Sequence, residues 1–186
     1  MDILGGLVGL LLLAMVYPFI SLATLAESGR PVLYFQERMG RGGKKYQIIK
    51  FRTMRQDAES NGIAIPASKD DERATKVGRV LRKTHLDELP QFINVLRGEM
   101  SLVGPRSERP ALVEQYHQHI PFYRARLLVK PGITGWAQVN FGYAQTIEDT
   151  IIKLEYDLYY IKHRNLILDI VTILRTPVTI LGMKGR

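Results

Sequence analysis

The sequence predicts an α+β chain, mostly helical, with one N-terminal membrane helix, one β-hairpin and several amphipathic helices. Three observations carry this prediction. No charged residue occurs from Ile3 to Ala26. Residues 32–54 hold two runs rich in Val, Tyr, Phe and Ile around the Gly-rich loop Met39–Gly43, the pattern of a hairpin. Downstream, apolar residues recur at helical spacing, most clearly over 146–164.

The uncharged run ILGGLVGLLLLAMVYPFISLATLA is long enough to cross a bilayer, which takes about 20 apolar residues. A cleaved signal peptide fits poorly, because only Met1 and Asp2 stand before the run and neither is basic. A buried soluble helix would rarely be uncharged for so long. Pro18 cannot donate to the Ala14 carbonyl and its ring crowds that turn, so a kink is expected there. Two geometries fit: a helix that spans with a bend, or one that enters a single leaflet and turns back. The basic stretch that follows should stay cytoplasmic. Residues 1–26 are thus read as the membrane helix and 27–186 as one compact domain of ordinary size.

The chain of 186 residues carries 26 Lys and Arg against 18 Asp and Glu, a net charge of +8. Such an excess favours anionic partners: phosphates, nucleic acid or an acidic membrane face. Nucleic acid accounts for the charge but not for the apolar run, so it is set aside. There is no cysteine, which excludes disulfides, thiolate zinc sites and thiol catalysis. The histidines stand at 85, 117, 119 and 163, without the spacing of a structural zinc site.

ESGRP (27–31) ends the apolar run. From Arg30 to Arg55 there are eight Lys and Arg and one acid, Glu37. Beside a membrane segment this reads as a phosphate or lipid-headgroup face, since each surface cation contributes about 1 kcal/mol toward anionic lipid. GRGGK lacks the spacing and the Ser or Thr of a Walker loop. Residues 56–75, with Asn61-Gly62, read as a surface connection. Val77, Val80 and Leu81 predict a short helix ending near Lys83. Phe92, Ile93 and Leu96 predict a second, stopped by Gly98. Pro90 is tolerated best in a first turn, so this helix should start at Asp87–Leu89 with Asp87 and Glu88 at its N-terminal end.

SLVGPRSERP (101–110) reads as a turn-rich loop presenting Arg106 and Arg109, and Ala111–Gln118 as a short helix. Pro131-Gly132 and Thr134-Gly135 read as consecutive turns around Trp136. Over 146–164, Thr146 can cap a helix whose stripe is Ile147, Ile151, Leu154, Leu158 and Ile161. Asp157 lies beside that stripe and needs a partner. Leu166–Ile173 reads as an apolar, membrane-facing helix broken by Pro177, with a basic tail Lys184–Arg186.

The charged groups at turns and helix ends are Asp87, Glu88 and Asp157, with Lys50, Arg52, Arg82, Arg106 and Arg109. Adjacent carboxylates suit Mg²⁺, which takes oxygen ligands, and arginines clamp phosphate oxygens. The combination suits phosphoryl transfer from a diphosphate, with a carboxylate able to act as nucleophile. Acids in a first helical turn also complement the helix dipole by about 0.3–1 kcal/mol each, so a plain cap is the competing reading of Asp87-Glu88. Residue types do not say which carboxylate attacks.

Four blocks, PVLYFQERMGRGGKKYQIIKFRTM, TKVGRVLRKTHLDELPQFINVLRGEMSLVGPR, VKPGITGWAQVN and KLEYDLYYIKH, strongly resemble the bacterial sugar transferases known as monotopic phosphoglycosyl transferases. The resemblance covers essentially the whole chain. It is strongest to the C-terminal catalytic part of the polyprenyl glycosylphosphotransferases of exopolysaccharide biosynthesis. It implies transfer of a sugar-1-phosphate from a UDP-sugar to polyprenol phosphate, with UMP released, on the cytoplasmic face of the bacterial inner membrane. It implies that Asp87 is the nucleophile of a two-step, ping-pong reaction and that Glu88 helps hold Mg²⁺. Lys50, Arg82, Arg106 and Asp157 fall on the family's phosphate-site positions. It also implies a re-entrant N-terminal helix, broken at Pro18, with both ends cytoplasmic. Tyr17 stands where the family often has Ser, and Ser107 where it often has Pro, so nucleotide contacts assigned to that proline do not carry over. The chain is expected to be either a compact form or the catalytic part of a longer protein, and a homo-oligomer is left open. The alternative function is a non-catalytic, membrane-anchored module that binds anionic lipid or a partner.

Overall fold

A long N-terminal helix, α1 (Asp2–Ser28), lies along one side of the remaining chain in the computed structural model of the protein, which describes residues 1–58, 71–141 and 146–181. The helix is long and apolar enough to cross a membrane. Pro18 lies inside it, and the helix continues on both sides. One stripe of α1 is buried (Gly6, Gly9, Leu13, Ile20, Thr24), while Ile3, Leu4, Leu11, Met15, Phe19 and Leu22 are exposed. Gly29, with φ +71°, ends it and donates to the Leu25 carbonyl at 3.1 Å.

The hairpin appears where the pattern puts it. Strands β1 (Leu33–Met39) and β2 (Lys45–Phe51) pair antiparallel, from Leu33 opposite Phe51 to Met39 opposite Lys45. The loop between them closes with a 3₁₀ turn, Arg41–Gly43, in which Gly42 and Gly43 take positive φ. Helix α2 (Lys76–Thr84) is capped by the Thr75 side chain, which accepts from the Gly78 amide. A Cβ at Gly78 would collide with the Thr53 carbonyl, so only glycine lets α2 approach the strand end this closely. Leu81 is buried, but Val80 is exposed and is not part of the core.

Helix α3 (Gln91–Leu96) follows, and its start differs from the expected one. Asp87 and Glu88 are not in its first turn. They form a separate 3₁₀ turn, Leu86–Glu88, entered through His85 in the left-handed conformation (φ 56°) and left through Leu89 and Pro90. Pro90 is the residue before α3, where its missing N–H costs no helix bond. Gly98 (φ +77°) then turns the chain, donating to the Val95 carbonyl at 2.9 Å. Phe92 and Leu96 pack on Gly9 and Gly6 of α1, where any Cβ would meet them. The opposite face of α3 holds β2. Buried Asn94 accepts from the Ile49 amide at 3.1 Å and donates to the Gln47 carbonyl at 2.8 Å, serving the outer edge of β2 as a third strand would.

Two stretches read as turns contain strands instead. β3 (Ser101–Val103) and β4 (Gly132–Thr134) form a short parallel pair. Gly104 and Gly132 allow their close approach, since a Cβ on either would strike the other backbone. Ser101 and Leu102 also touch α1: Asp2 accepts from the Ser101 hydroxyl at 2.9 Å and the Leu102 amide at 3.1 Å. Helix α4 (Pro110–His119), the 3₁₀ segment Tyr123–Leu128 and α5 (Trp136–Asn140) complete the middle of the chain.

Helix α6 (Ile147–His163) begins with the expected Thr146 cap, here a full capping box with Asp149. Its buried side is rotated from the predicted stripe. Thr150, Leu154, Asp157 and Tyr160 face inward, while Ile147 and Ile151 are exposed. An ion pair at Asp157 sets this rotation, as described below. Helix α7 (Leu166–Leu181) runs through Pro177 rather than ending there. Pro177 already has the φ a helix needs, and the Thr176 hydroxyl bridges to Thr134 at 2.7 Å and to the Thr172 carbonyl at 2.8 Å. Leu166, Ile170, Leu174 and Val178 make an exposed apolar stripe on α7. Asn61-Gly62, most of 56–75 and the tail Lys184–Arg186 lie outside the described residues.

Candidate active site

The Leu86–Glu88 turn is held between α2, α3 and β2, and both its acids are buried (Asp87 8% exposed, Glu88 9%). Burying two adjacent carboxylates is unfavourable unless cations are near. The hairpin supplies one: Lys50, near the end of β2, donates to Glu88 Oε1 at 2.6 Å. The loop after β3 supplies another: Arg106 Nη2 donates to the same oxygen at 2.8 Å. Lys50 is carried there by the Asn94 bonds to Gln47 and Ile49 that fix β2 against α3.

The two acids are therefore unlike. Burial would raise Glu88, but Arg106 and Lys50 outweigh it and hold the carboxyl well below its ordinary range. Asp87 is pushed up to about 6, by burial first and by the charge of Glu88 second, against the opposing fields of Lys50, Arg106 and Arg82. Among the described residues no hydrogen bond or ion pair engages the Asp87 carboxylate. Glu88 is the charge-balanced member, and Asp87 is the one raised by burial and by its neighbour's charge.

Three of the four predicted phosphate-site residues thus gather at the dyad: Lys50 and Arg106 by direct bonds to Glu88, and Arg82 through its field at Asp87. Asp157 does not join them. It is 2% exposed and pairs with Arg126 Nη2 at 2.7 Å, in a second cluster. The same Nη2 donates to the Arg106 carbonyl at 3.0 Å, and Arg126 Nη1 donates to the Tyr123 hydroxyl at 2.7 Å. Glu108 completes the cluster, 3.1 Å from Lys153, 3.7 Å from Arg126 and 3.8 Å from Arg38. Burial would raise Glu108, yet these three cations bring it down to about 2. Burial raises Asp157, and Arg126 only partly offsets this. The cluster grips the backbone that presents Arg106, helped by Arg38, which donates to the Ser107 carbonyl at 3.0 Å.

Arg126, Glu108 and Lys153 were not singled out by sequence reasoning. Asp157's need for a partner was legible, but nothing along the chain points across 31 residues to Arg126. Arg52, grouped with the phosphate-site cations, has a different position. Its Nη2 donates to the Ser28 and Gly29 carbonyls at 2.9 and 2.5 Å, closing the C-terminal end of α1, where a cation is favoured.

The donor set at the dyad fits Mg²⁺, which usually takes one or two carboxylates and completes its shell with substrate phosphates and water. Asp87 and Glu88 supply two adjacent carboxylates, and among the described residues no group of three or more acids or histidines gathers anywhere.

The site is a buried carboxylate turn rimmed by cations, in a chain whose first helix is long and apolar enough to cross a membrane. The chain belongs to the bacterial sugar transferase family, whose model matches residues 1–183. It is 46% identical over 181 residues to the UDP-N-acetylgalactosamine-undecaprenyl-phosphate N-acetylgalactosaminephosphotransferase of Aeromonas hydrophila, covering 97% of this chain and 43% of that protein. It is 46% identical over 171 residues to the UDP-glucose:undecaprenyl-phosphate glucose-1-phosphate transferase of Escherichia coli, covering 91% and 37%. A protein of the same name from Caulobacter vibrioides is 43% identical over 176 residues, covering 92% and 66%. The chain thus spans less than half the length of the first two relatives.

Proposed function

We propose that the chain transfers a sugar-1-phosphate from a UDP-sugar to polyprenol phosphate, through a phosphosugar held on Asp87. The observation that supports this most is the inequality of the dyad: Glu88 balanced by Lys50 and Arg106, Asp87 left unengaged. In the first step an Asp87 carboxylate oxygen attacks the phosphorus that bears the sugar. The bond from that phosphorus to the UMP oxygen breaks, and UMP leaves with the electron pair. In the second step a phosphate oxygen of polyprenol phosphate attacks the same phosphorus and releases Asp87. Lys50, Arg82 and Arg106 neutralise phosphate charge that grows in both steps. Arg106, with 39% of its side chain exposed, has a face open to an incoming phosphate. Asp87 and Glu88 would hold Mg²⁺, which supplies charge neutralisation on the diphosphate.

The relatives named for this reaction use different sugars at equal identity, N-acetylgalactosamine in one and glucose in another. Overall similarity therefore does not choose the sugar. The purified protein is expected to release UMP from at least one UDP-sugar in a panel, only with Mg²⁺. A panel that yields no UMP with polyprenol phosphate and Mg²⁺ present sinks the reading.

We also propose that α1 is re-entrant, with a bend at Pro18 and both ends on the cytoplasmic face of the inner membrane. Supporting this, both ends of α1 bond to the same body of protein: Asp2 to β3, and Glu27 to the Lys76 and Val77 amides of α2 at 2.6 and 2.8 Å. A spanning helix would separate its ends by about 30 Å of hydrocarbon. The exposed stripes of α1 and α7 would face lipid. Because the chain has no cysteine, a tag ahead of Met1 can carry the sole one. In intact cells an impermeant maleimide should leave it unlabelled and should label it after lysis. Labelling in intact cells would mean a spanning helix.

A further inference from the structure

Where α1 ends and charge begins, the molecule has a second basic recess, apart from the dyad. A cavity of about 420 Å³ is lined by Glu27, Ser28, Arg55, Gln56, Lys76 and Arg79 among others. Its cations come from three places: Arg55 after the hairpin, Lys76 at the first turn of α2, and Arg79 one turn on. Its one acid is already engaged. Both Glu27 oxygens accept backbone N–H groups of α2, and these bonds hold the carboxyl below its ordinary range despite the opposing effect of burial. The recess therefore presents a net positive field. α2 separates it from the dyad, with nine residues at about 1.5 Å each between the two ends.

Its depth is set by α1. The last exposed large apolar residues of that helix are Leu22 and, to a smaller extent, Leu25, and Glu27 follows within a turn. With α1 in a bilayer, the recess lies at the level of the headgroups, where anionic lipids attract cations. Arginine and lysine lining a polar recess are the groups that hold phosphate oxygens.

We propose that this recess binds a lipid-borne phosphate, separately from the catalytic turn. The proposal rests on the membrane reading of α1 given above. Its ligand chemistry is a phosphate on a lipid in the cytoplasmic leaflet, whether the diester of an anionic glycerophospholipid or the monoester of polyprenol phosphate.

Native mass spectrometry of the full chain in a zwitterionic detergent tests it, with phosphatidylglycerol, phosphatidylcholine, polyprenol phosphate or inorganic phosphate titrated in turn. The parent should retain one molecule of phosphatidylglycerol per chain, or a second molecule of polyprenol phosphate beyond the one taken at the dyad, in preference to phosphatidylcholine. The double variant Arg55→Gln/Arg79→Gln should weaken that retention roughly tenfold or more. Lys83→Gln, on α2 but outside the recess, should leave it unchanged. The lipid whose retention falls identifies the source of the phosphate. Unchanged retention of both lipids in the double variant overturns the proposal, as does an equal loss in Lys83→Gln, which would mark a bulk charge effect. Inorganic phosphate competing as well as lipid would also overturn it. Lipid retention is read without turnover, so its failure and a failure of UMP release are separate results.

Discussion

Asp87→Asn loses UMP release by roughly 10³-fold or more, the scale on which removal of a catalytic nucleophile acts, while the fold is kept. Asparagine has nearly the shape of aspartate but no nucleophilic carboxylate. Glu88 cannot take over, because its Oε1 is bonded to Lys50 at 2.6 Å and Arg106 at 2.8 Å. The stability change has the opposite sign. Folding raises Asp87 from its usual value to about 6. A raised acid favours the folded state only while protonated, so at neutral pH its charge is a cost. Asp87→Asn removes that cost and should melt at or above the parent's temperature. Loss of activity with a lowered melting temperature would instead mean that Asp87 is structural.

Arg126→Met destabilises the protein by about 3–5 kcal/mol, the usual cost of leaving a buried partner charge unpaired. Asp157 loses its 2.7 Å bond while 2% exposed, and Glu108 loses one of three cations. For a chain of this size the melting temperature should fall by roughly 10 °C. The Arg106 carbonyl also loses its donor, so activity should fall further than stability alone explains. Arg126→Met combined with Asp157→Leu should recover much of the stability, because an apolar pair avoids the burial of charge. It should not recover activity, since the Arg106 carbonyl still lacks its Arg126 donor. A double variant as unstable as the single one would show that the pair is not the unit that matters.

The sequence disclosed these two clusters unequally. The dyad was legible because its residues are neighbours and carry adjacent carboxylates, and Lys50 and Arg106 because each sits in a distinctive block. The 3₁₀ turn was not. Pro90 suits a first turn, whereas the left-handed His85 starts a separate turn before it, and the enrichment of histidine at positive φ is too modest to single out one position. The hairpin was legible from two runs rich in β-branched and aromatic residues around a Gly-rich loop. β3 and β4 were hidden because three-residue strands, beside Gly104-Pro105 and Pro131-Gly132, look like turns until they pair with each other. The rotation of α6 was hidden for a related reason. Apolar spacing favoured Ile147 and Ile151, but the Arg126–Asp157 pair and the Tyr160 bond to Asp169 at 2.8 Å turn the other side inward. A hydrophobic pattern does not register a buried ion pair.

The most direct test of the central claim is intact and peptide mass spectrometry of the protein incubated with UDP-sugars and Mg²⁺, without polyprenol phosphate. UDP-glucose and UDP-N-acetylgalactosamine belong in the panel, given the relatives' names. One UMP should be released per active chain, with a mass gain of one sugar phosphate on the peptide containing Asp87. That gain should vanish when polyprenol phosphate is added. UMP released only when polyprenol phosphate is present, with no mass gain on Asp87 at any time, would mean direct displacement and would contradict the central claim.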